Sequence, residues 1–85
     1  MARAFITGFQ PVAKGFLSVL GFVENTVTNG YVVFNADTVP YDVTSSVSVR
    51  QQIQENAPAH VNAKLTADGH ADEATLNPSD FEFIS

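Results

Sequence analysis

The C-terminal part of the chain holds the side chains that could bind a metal ion. Asp68, His70, Asp72 and Glu73 place three carboxylates and one imidazole close together in the sequence, and His60 precedes them. Oxygen and imidazole ligands at such spacings can surround a divalent cation. The segment lacks, however, the series of alternating aspartates and the terminal bidentate glutamate of a calcium loop. We therefore predict a solvated polar loop, with no metal and no cofactor.

The same part of the chain offers little for catalysis. His60 and His70 are the only histidines, and a hydrolase of the triad type needs a nucleophile beside such a base. No G-x-S-x-G turn surrounds any serine. The clustered acids Asp72 and Glu73 should be exposed, whereas a paired-carboxylate site needs one acid in an apolar pocket. The sequence thus predicts no catalytic residue and a protein that is not an enzyme.

Charge divides the chain into two parts. Residues 1–65 carry four basic and four acidic side chains and are neutral overall, whereas residues 66–85 carry five acids and no base. We interpret these parts as an apolar body and an acidic C-terminal segment of one single domain. Four scattered bases cannot form the stripe that nucleic acid requires, nor can they hold an anionic membrane surface. Neither nucleic acid nor membrane is expected as a partner.

Size and composition favour association with other protein. A chain of this length buries only about 60% of its unfolded surface, and the absence of cysteine excludes disulfides. The longest apolar run, residues 15–23, is far shorter than the roughly 20 residues of a membrane-spanning helix. Gln10, Pro11 and Lys14 interrupt any N-terminal signal sequence. We expect a soluble protein that self-associates or joins a larger assembly.

Alternating apolar residues predict strands at about 3–9, 15–24 and 31–36. The first strand should end at Pro11, because proline donates no hydrogen bond to a sheet. Asn29-Gly30 favours a tight turn between the second and third strands.

Side-chain alternation also assigns faces to the first two strands. In the first, Phe5, Thr7 and Phe9 should share one face. The second strand is apolar on both faces, with one face formed by Phe16, Leu20 and Phe22 and the other by Leu17, Val19 and Val23. Such a strand is covered on two sides, or it presents one face to a partner.

Residues 43–65 fit two patterns. The alternation of Val43, Val47, Val49 and Ile53 with polar residues would suit a strand with a polar outer face. A four-residue spacing, however, connects Val49, Ile53, Ala57, Val61 and Leu65. The spacing favours one helix over about 46–65, with its apolar stripe in the core or an interface.

Polar residues and breakers give this helix its expected ends. The helix is capped by Ser45, Ser46 or Ser48, the last with Gln51 three residues on. Pro58 should kink or split it, with Asn56 capping the second piece, and Asp68-Gly69 should end it.

The chain ends in a short apolar stretch at about 81–84, which predicts a fourth strand. Phe81 and Phe83 would close the sheet from within, or they would anchor on a neighbouring subunit by strand addition. In the second case Phe81 and Phe83 contact the partner and the acids Asp72 and Glu73 orient the segment.

Together these elements predict an α+β fold. It comprises a small antiparallel sheet of three or four strands (about 3–9, 15–24, 31–36 and 81–84) and one helix; the alternative is an all-β sandwich or barrel-like domain.

In the absence of recognisable chemistry we expect a non-enzymatic structural or assembly subunit. Its general character is similar to that of small virion accessory proteins of tailed phages, in capsid, neck or tail, a likeness at the level of class only. The alternative is a small protein-binding module or inhibitor that uses a sheet edge.

Overall fold

The computed structural model describes residues 2–25 and 29–84. This part of the chain forms one four-stranded sheet, one α-helix and two short 3-10 helices at Ala71–Glu73 and Pro78–Asp80. The strands and the helix are, in chain order, β1 (Ala2–Ala13), β2 (Phe16–Asn25), β3 (Gly30–Pro40), α1 (Val49–Ala67) and β4 (Phe81–Phe83). The predicted α+β class, with a small sheet and one helix, is confirmed.

The sheet is mixed, with the strand order β3-β2-β1-β4. The pairs β1–β2 and β2–β3 are antiparallel, but β4 runs parallel to β1, with Ala4 opposite Phe81 and Ile6 opposite Phe83. The prediction of a wholly antiparallel sheet is therefore wrong. Because α1 returns the chain to the end of the sheet where β3 began, the next strand must run in the direction of β3, which is also that of β1.

The core lies between α1 and one face of the sheet, here called the inner face. The helix contributes its four-spaced stripe, of which Ile53, Ala57, Val61 and Leu65 are almost completely buried. The opposing sheet residues are equally buried: Ala4, Ile6, Leu17, Val19, Val23, Phe34, Ala36 and Val39. Val49, which we expected in this stripe, is 37% exposed because it is the first residue of the helix and precedes the covered turns.

A β-bulge at Thr7 changes the faces of β1. Ile6 lies opposite Gly21 and Gly8 lies opposite Leu20, so Thr7 has no residue opposite it. The extra residue turns Phe9 to the inner face, where it packs against the core, and the predicted common face with Phe5 is wrong. β1 also continues past Pro11 to Ala13. Only residues 4–6 of β1 pair with β4, so Pro11 lies on an edge, where proline is tolerated.

The connection from β2 to β3 includes residues 26–28, which lie outside the described residues. Asn29 adopts a left-handed conformation with φ 58°, and its amide donates to the Asn25 carbonyl at 2.8 Å. Gly30 is already the first residue of β3, which extends to Pro40, beyond the predicted end at residue 36.

Helix α1 has the predicted caps but is not split. The Ser48 hydroxyl accepts from the Gln51 amide at 3.2 Å. At the other end Gly69, with φ +87°, allows the His70 amide to reach the Leu65 carbonyl at 2.8 Å, which is a Schellman motif. The helix is continuous through buried Pro58, since core packing of the turns on both sides outweighs the missing hydrogen bond.

Four amide side chains of α1 fasten the segments that flank it. Buried Gln52 accepts from the Asp42 amide at 2.7 Å and donates to the Asp42 and Val47 carbonyls. Asn56 donates to the Pro40 carbonyl, so it does not serve as a cap.

The other two amides act on the C-terminal segment. Asn62 exchanges two hydrogen bonds with the Leu76 backbone, and Gln54 donates to the Pro78 and Phe81 carbonyls. Because buried backbone groups need partners, these amides fix both segments on the helix.

The loop before α1 is ordered by a turn at Asp42. The hydroxyl and the amide of Thr44 donate to the Asp42 carboxylate at 2.7 and 2.9 Å. These bonds hold the pKa of the Asp42 carboxyl below its ordinary value, because they favour the charged form.

None of the helices in the described ranges is long and apolar enough to cross a bilayer.

Ile53→Ala should lower the free energy of unfolding by about 2–5 kcal/mol, because it leaves a cavity in the core. Val49→Ala is the control on the same helix and should cost less than about 1 kcal/mol, since Val49 is partly exposed. Urea unfolding followed by circular dichroism measures both. Equal losses from the two variants would contradict the assignment of the stripe.

Gly21→Ala should destabilise the sheet. An added Cβ would clash with the Phe5 carbonyl oxygen and lie 2.8 Å from Cζ of Phe34, so overpacking should cost about 1–3 kcal/mol. Gly8→Ala in the neighbouring strand is the control, because nothing lies within 4 Å of its added Cβ. Thermal unfolding should show a lower Tm for Gly21→Ala alone, and an unchanged Tm would refute the close contact.

Candidate functional site: the uncovered face of the sheet

The face of the sheet opposite α1 carries large apolar side chains that no described element covers. We call the set Phe5, Leu20, Phe22, Tyr31 and Val33 the open face. Val33 is 79% exposed and Tyr31 is 66% exposed. Single exposed apolar residues are ordinary, but a contiguous patch of them marks a site of contact.

Strand register places these residues side by side. Phe5, Phe22 and Val33 occupy one row across β1, β2 and β3. The Phe5 and Phe22 rings stack with centroids 5.2 Å apart, and Tyr31 meets Phe22 edge-on at 5.6 Å. The result is a preformed aromatic strip that crosses three strands.

Charged side chains lie at one end of the strip. Arg3 and Glu24 are opposite each other in the next row, and the Arg3 guanidinium lies 5.5 Å from the Phe5 ring centroid. Arg3 also pairs with Glu82 at 2.9 Å. Both of those side chains are more than half exposed, so this ion pair contributes little to stability.

The other end of the strip is polar and uncharged. The Ser18 hydroxyl donates to the Asn35 amide oxygen at 3.2 Å, and the Thr7 hydroxyl donates to the Leu20 carbonyl at 3.3 Å. The open face is thus apolar in its middle, charged at the end near Arg3 and neutral at the end near Ser18.

Phe81 and Phe83 lie in the protein's own sheet. Phe81 is only 5% exposed and meets Phe34 edge-on at 6.4 Å within the core. The half-buried Phe83 ring contacts Phe9 at 6.0 Å, and the Arg50 guanidinium lies 4.8 Å from its centroid. Of the two alternatives for this segment, the structure has the internal strand. Contact of these rings with a partner stays a prediction.

Asp72 and Glu73 lie in the 3-10 helix Ala71–Glu73, which packs against α1. Asp72 is exposed and Glu73 is half-buried. The segment is held on the helical side of the molecule by buried Leu76, so these acids are remote from the open face. Their role as partner contacts likewise stays a prediction.

The side chains that could have ligated a metal do not converge. Asp68 caps the end of α1, and His70 follows the Schellman turn. Within residues 2–25 and 29–84, no three histidine, aspartate or glutamate side chains lie close enough to share an ion.

An open depression of about 420 Å³ lies between β3 and α1. Its polar lining includes Asp37, Thr38, His60 and Lys64. Nδ1 of His60 lies 3.1 Å from the Asn56 carbonyl, a contact that orients the ring along its own helix. The depression therefore offers one acid, one base and one imidazole, without a described hydrogen bond between them.

Searches of protein-family models, of curated proteins and of solved structures return no match for this chain. The open face must therefore be interpreted from its own geometry.

The sequence indicated part of this face. The two apolar faces of β2 were recognised, including Leu20 and Phe22, but the exposed positions Tyr31 and Val33 were not singled out. The signal was present, because Val32 and Phe34 alternate with them and fill the inner side of β3.

Deleting residues 81–85 should unfold or strongly destabilise the monomer, because it removes Phe81 from the core. Phe81→Ala should cost about 3 kcal/mol or more. Ile84→Ala is the control, because Ile84 is exposed and its loss should change stability by less than about 0.5 kcal/mol. Circular dichroism melting measures all three. A truncated chain that melts like the full chain would show that β4 is dispensable for folding. That result would favour the alternative in which the segment docks on a neighbouring subunit.

Proposed function

We propose that this protein is a non-enzymatic structural or assembly subunit that acts by binding protein through the open face. The observation that carries the proposal is the aromatic strip of Phe5, Phe22 and Tyr31, flanked by Val33, on the side of the sheet that α1 leaves uncovered. The largest contiguous apolar patch on a protein surface is often a site of contact with a partner.

The strip has the composition of a binding surface. Aromatic residues are enriched among the side chains that contribute most to binding energy. The three strands that carry it are fixed from behind by the core, so little conformational freedom would be lost on association. Charged residues make up only 15% of the chain, well below the usual share of about 25%, which further favours contact over solvation.

We base the kind of assembly that we propose on a general likeness to one class of proteins. Small accessory proteins in the capsid, neck or tail of tailed phages are comparably small and bind neighbouring subunits, and we propose such a role for this chain.

A protein-binding module or inhibitor that uses a sheet edge is the second candidate. Strand β3 is eleven residues long and lies at the edge of the sheet, so strand addition is available to it. Its edge carries two features that hinder such pairing: the charge of Asp37 and an irregularity between the Val19–Ala36 and Leu17–Val39 pairs. The open face is therefore favoured over the edge.

Light scattering coupled to size-exclusion chromatography tests the proposal with Val33→Glu. The wild type should associate as its concentration rises from micromolar to millimolar, and Val33→Glu should stay monomeric, because it places a charge among the apolar side chains of the open face. Val43→Glu is the control, because Val43 is 59% exposed in the loop before α1, away from the open face. This variant should associate like the wild type.

Circular dichroism should show that both variants fold, since both positions are largely exposed. A wild type that remains monomeric throughout would refute the assembly role. Association that survives Val33→Glu would remove the open face and favour the edge of β3.

A further inference from the structure

We infer that the open face binds the open face of a second copy, in a two-fold sandwich whose axis runs along the strands between β1 and β2. The inference rests on the proposed function and adds the partner and the geometry of the contact. It follows from apolar complementarity, from the register of the charged residues and from the size of the face.

The apolar part of the open face is complementary to itself. A two-fold interface brings the same patch of both subunits together, and an aromatic strip can pack on an identical strip. Sheets packed face to face lie about 10 Å apart with their strands about 30° from parallel. A two-fold axis along the mean strand direction produces such a crossing from two equally twisted sheets.

The charged row chooses this axis. Arg3 on β1 and Glu24 on β2 lie opposite each other on the open face. An axis between β1 and β2 places each β1 over the β2 of the other copy. Arg3 then faces Glu24 of the second copy, and the same contact occurs a second time by symmetry. Glu24 is half-buried, and among the described residues it forms no ion pair of its own.

The same operation organises the aromatic rings. Phe5 lies over Phe22 of the second copy, and Phe22 lies over its Phe5. Each copy already stacks these two rings at 5.2 Å, so the dimer would enclose four rings at the axis. Aromatic clusters of this kind add to the free energy gained from buried area alone.

An axis across the strands fits less well. Rotation about the row of Phe5 and Phe22 would lay Glu24 over the row that contains Leu20 in the second copy. A carboxylate would then be buried against an apolar side chain without a partner, which is strongly unfavourable. The axis along the strands instead places Glu24 over Arg3 of the second copy. It lays Glu82 over Val33 of the second copy, but Glu82 keeps its ion pair with Arg3 of its own copy.

The size of the face predicts a reversible dimer. From a strand spacing of about 4.8 Å and a rise of about 3.3 Å per residue, the whole outer surface of β1, β2 and β3 covers roughly 500 Å² per copy, of which the open face supplies about half. The pair would bury roughly 1,000 Å² if the polar rows near Ser18 also take part, which is near the lower limit of specific protein interfaces. Association should therefore depend on protein concentration.

Charge reversal at Arg3 and Glu24 tests the geometry. Arg3→Glu and Glu24→Arg should each weaken self-association about tenfold or more, because like charges then meet twice at the interface. An equimolar mixture of the two variants should recover association as a heterodimer, since opposite charges meet again at both contacts. Sedimentation equilibrium gives the dissociation constants, and native mass spectrometry with one isotopically labelled variant detects the heterodimer.

Glu82→Gln is the matched control. It removes the ion pair that Arg3 makes within one copy but leaves the contact with Glu24 of the second copy intact, so its dissociation constant should change less than about threefold. This variant separates loss of the internal pair from loss of the intermolecular pair.

The outcomes separate the assembly role of the open face from the two-fold geometry of the dimer. If Val33→Glu abolishes association but the charge reversals have no effect, or their mixture recovers nothing, the open face still mediates assembly and this two-fold geometry is wrong. If the wild type never associates, both the geometry and the assembly role fail.

Discussion

The packing of the α1 stripe on the inner face of the sheet is the interaction on which the rest of this structure depends. Ile53, Ala57, Val61 and Leu65 are almost completely buried there, and they belong to one core cluster with Phe34 and the other inner-face residues. One helix covers only one face of a sheet. The strands are nevertheless apolar on both faces, and no element formed by residues 2–25 and 29–84 covers the open face. Because the helix covers one apolar face of the sheet and leaves the other uncovered, we expect a partner on the open face.

The second constraint is the hydrogen bonding of the irregular segments. Gln52 and Asn62 satisfy backbone groups of the loop before α1 and of the segment after it. Together with Leu76 and Phe81, they make the acidic segment part of the folded body. The acidic part of the sequence is therefore packed on the folded body, and the open face is the contact surface that we propose.

Local patterns predicted the elements well. The four-spaced stripe gave the helix, Ser48 and Gly69 gave its ends, and alternation gave both faces of β2. The predictions that were wrong concern features that depend on contacts between residues distant in sequence. The direction of β4 depends on where α1 returns the chain, and the bulge at Thr7 depends on the pairing of β1 with β2. Val39 is buried although simple alternation would place it on the same face as exposed Val33, because the irregularity between the Val19–Ala36 and Leu17–Val39 pairs reverses the faces of β3.

Amide NMR spectra recorded over a dilution series test the central claim most directly. If the open face is the contact surface, resonances of Phe5, Leu20, Phe22, Tyr31 and Val33 should shift with protein concentration, while those of the buried helix stripe should not. Shifts confined to α1 or to the outer edge of β3, or spectra that do not change with concentration, would contradict the account.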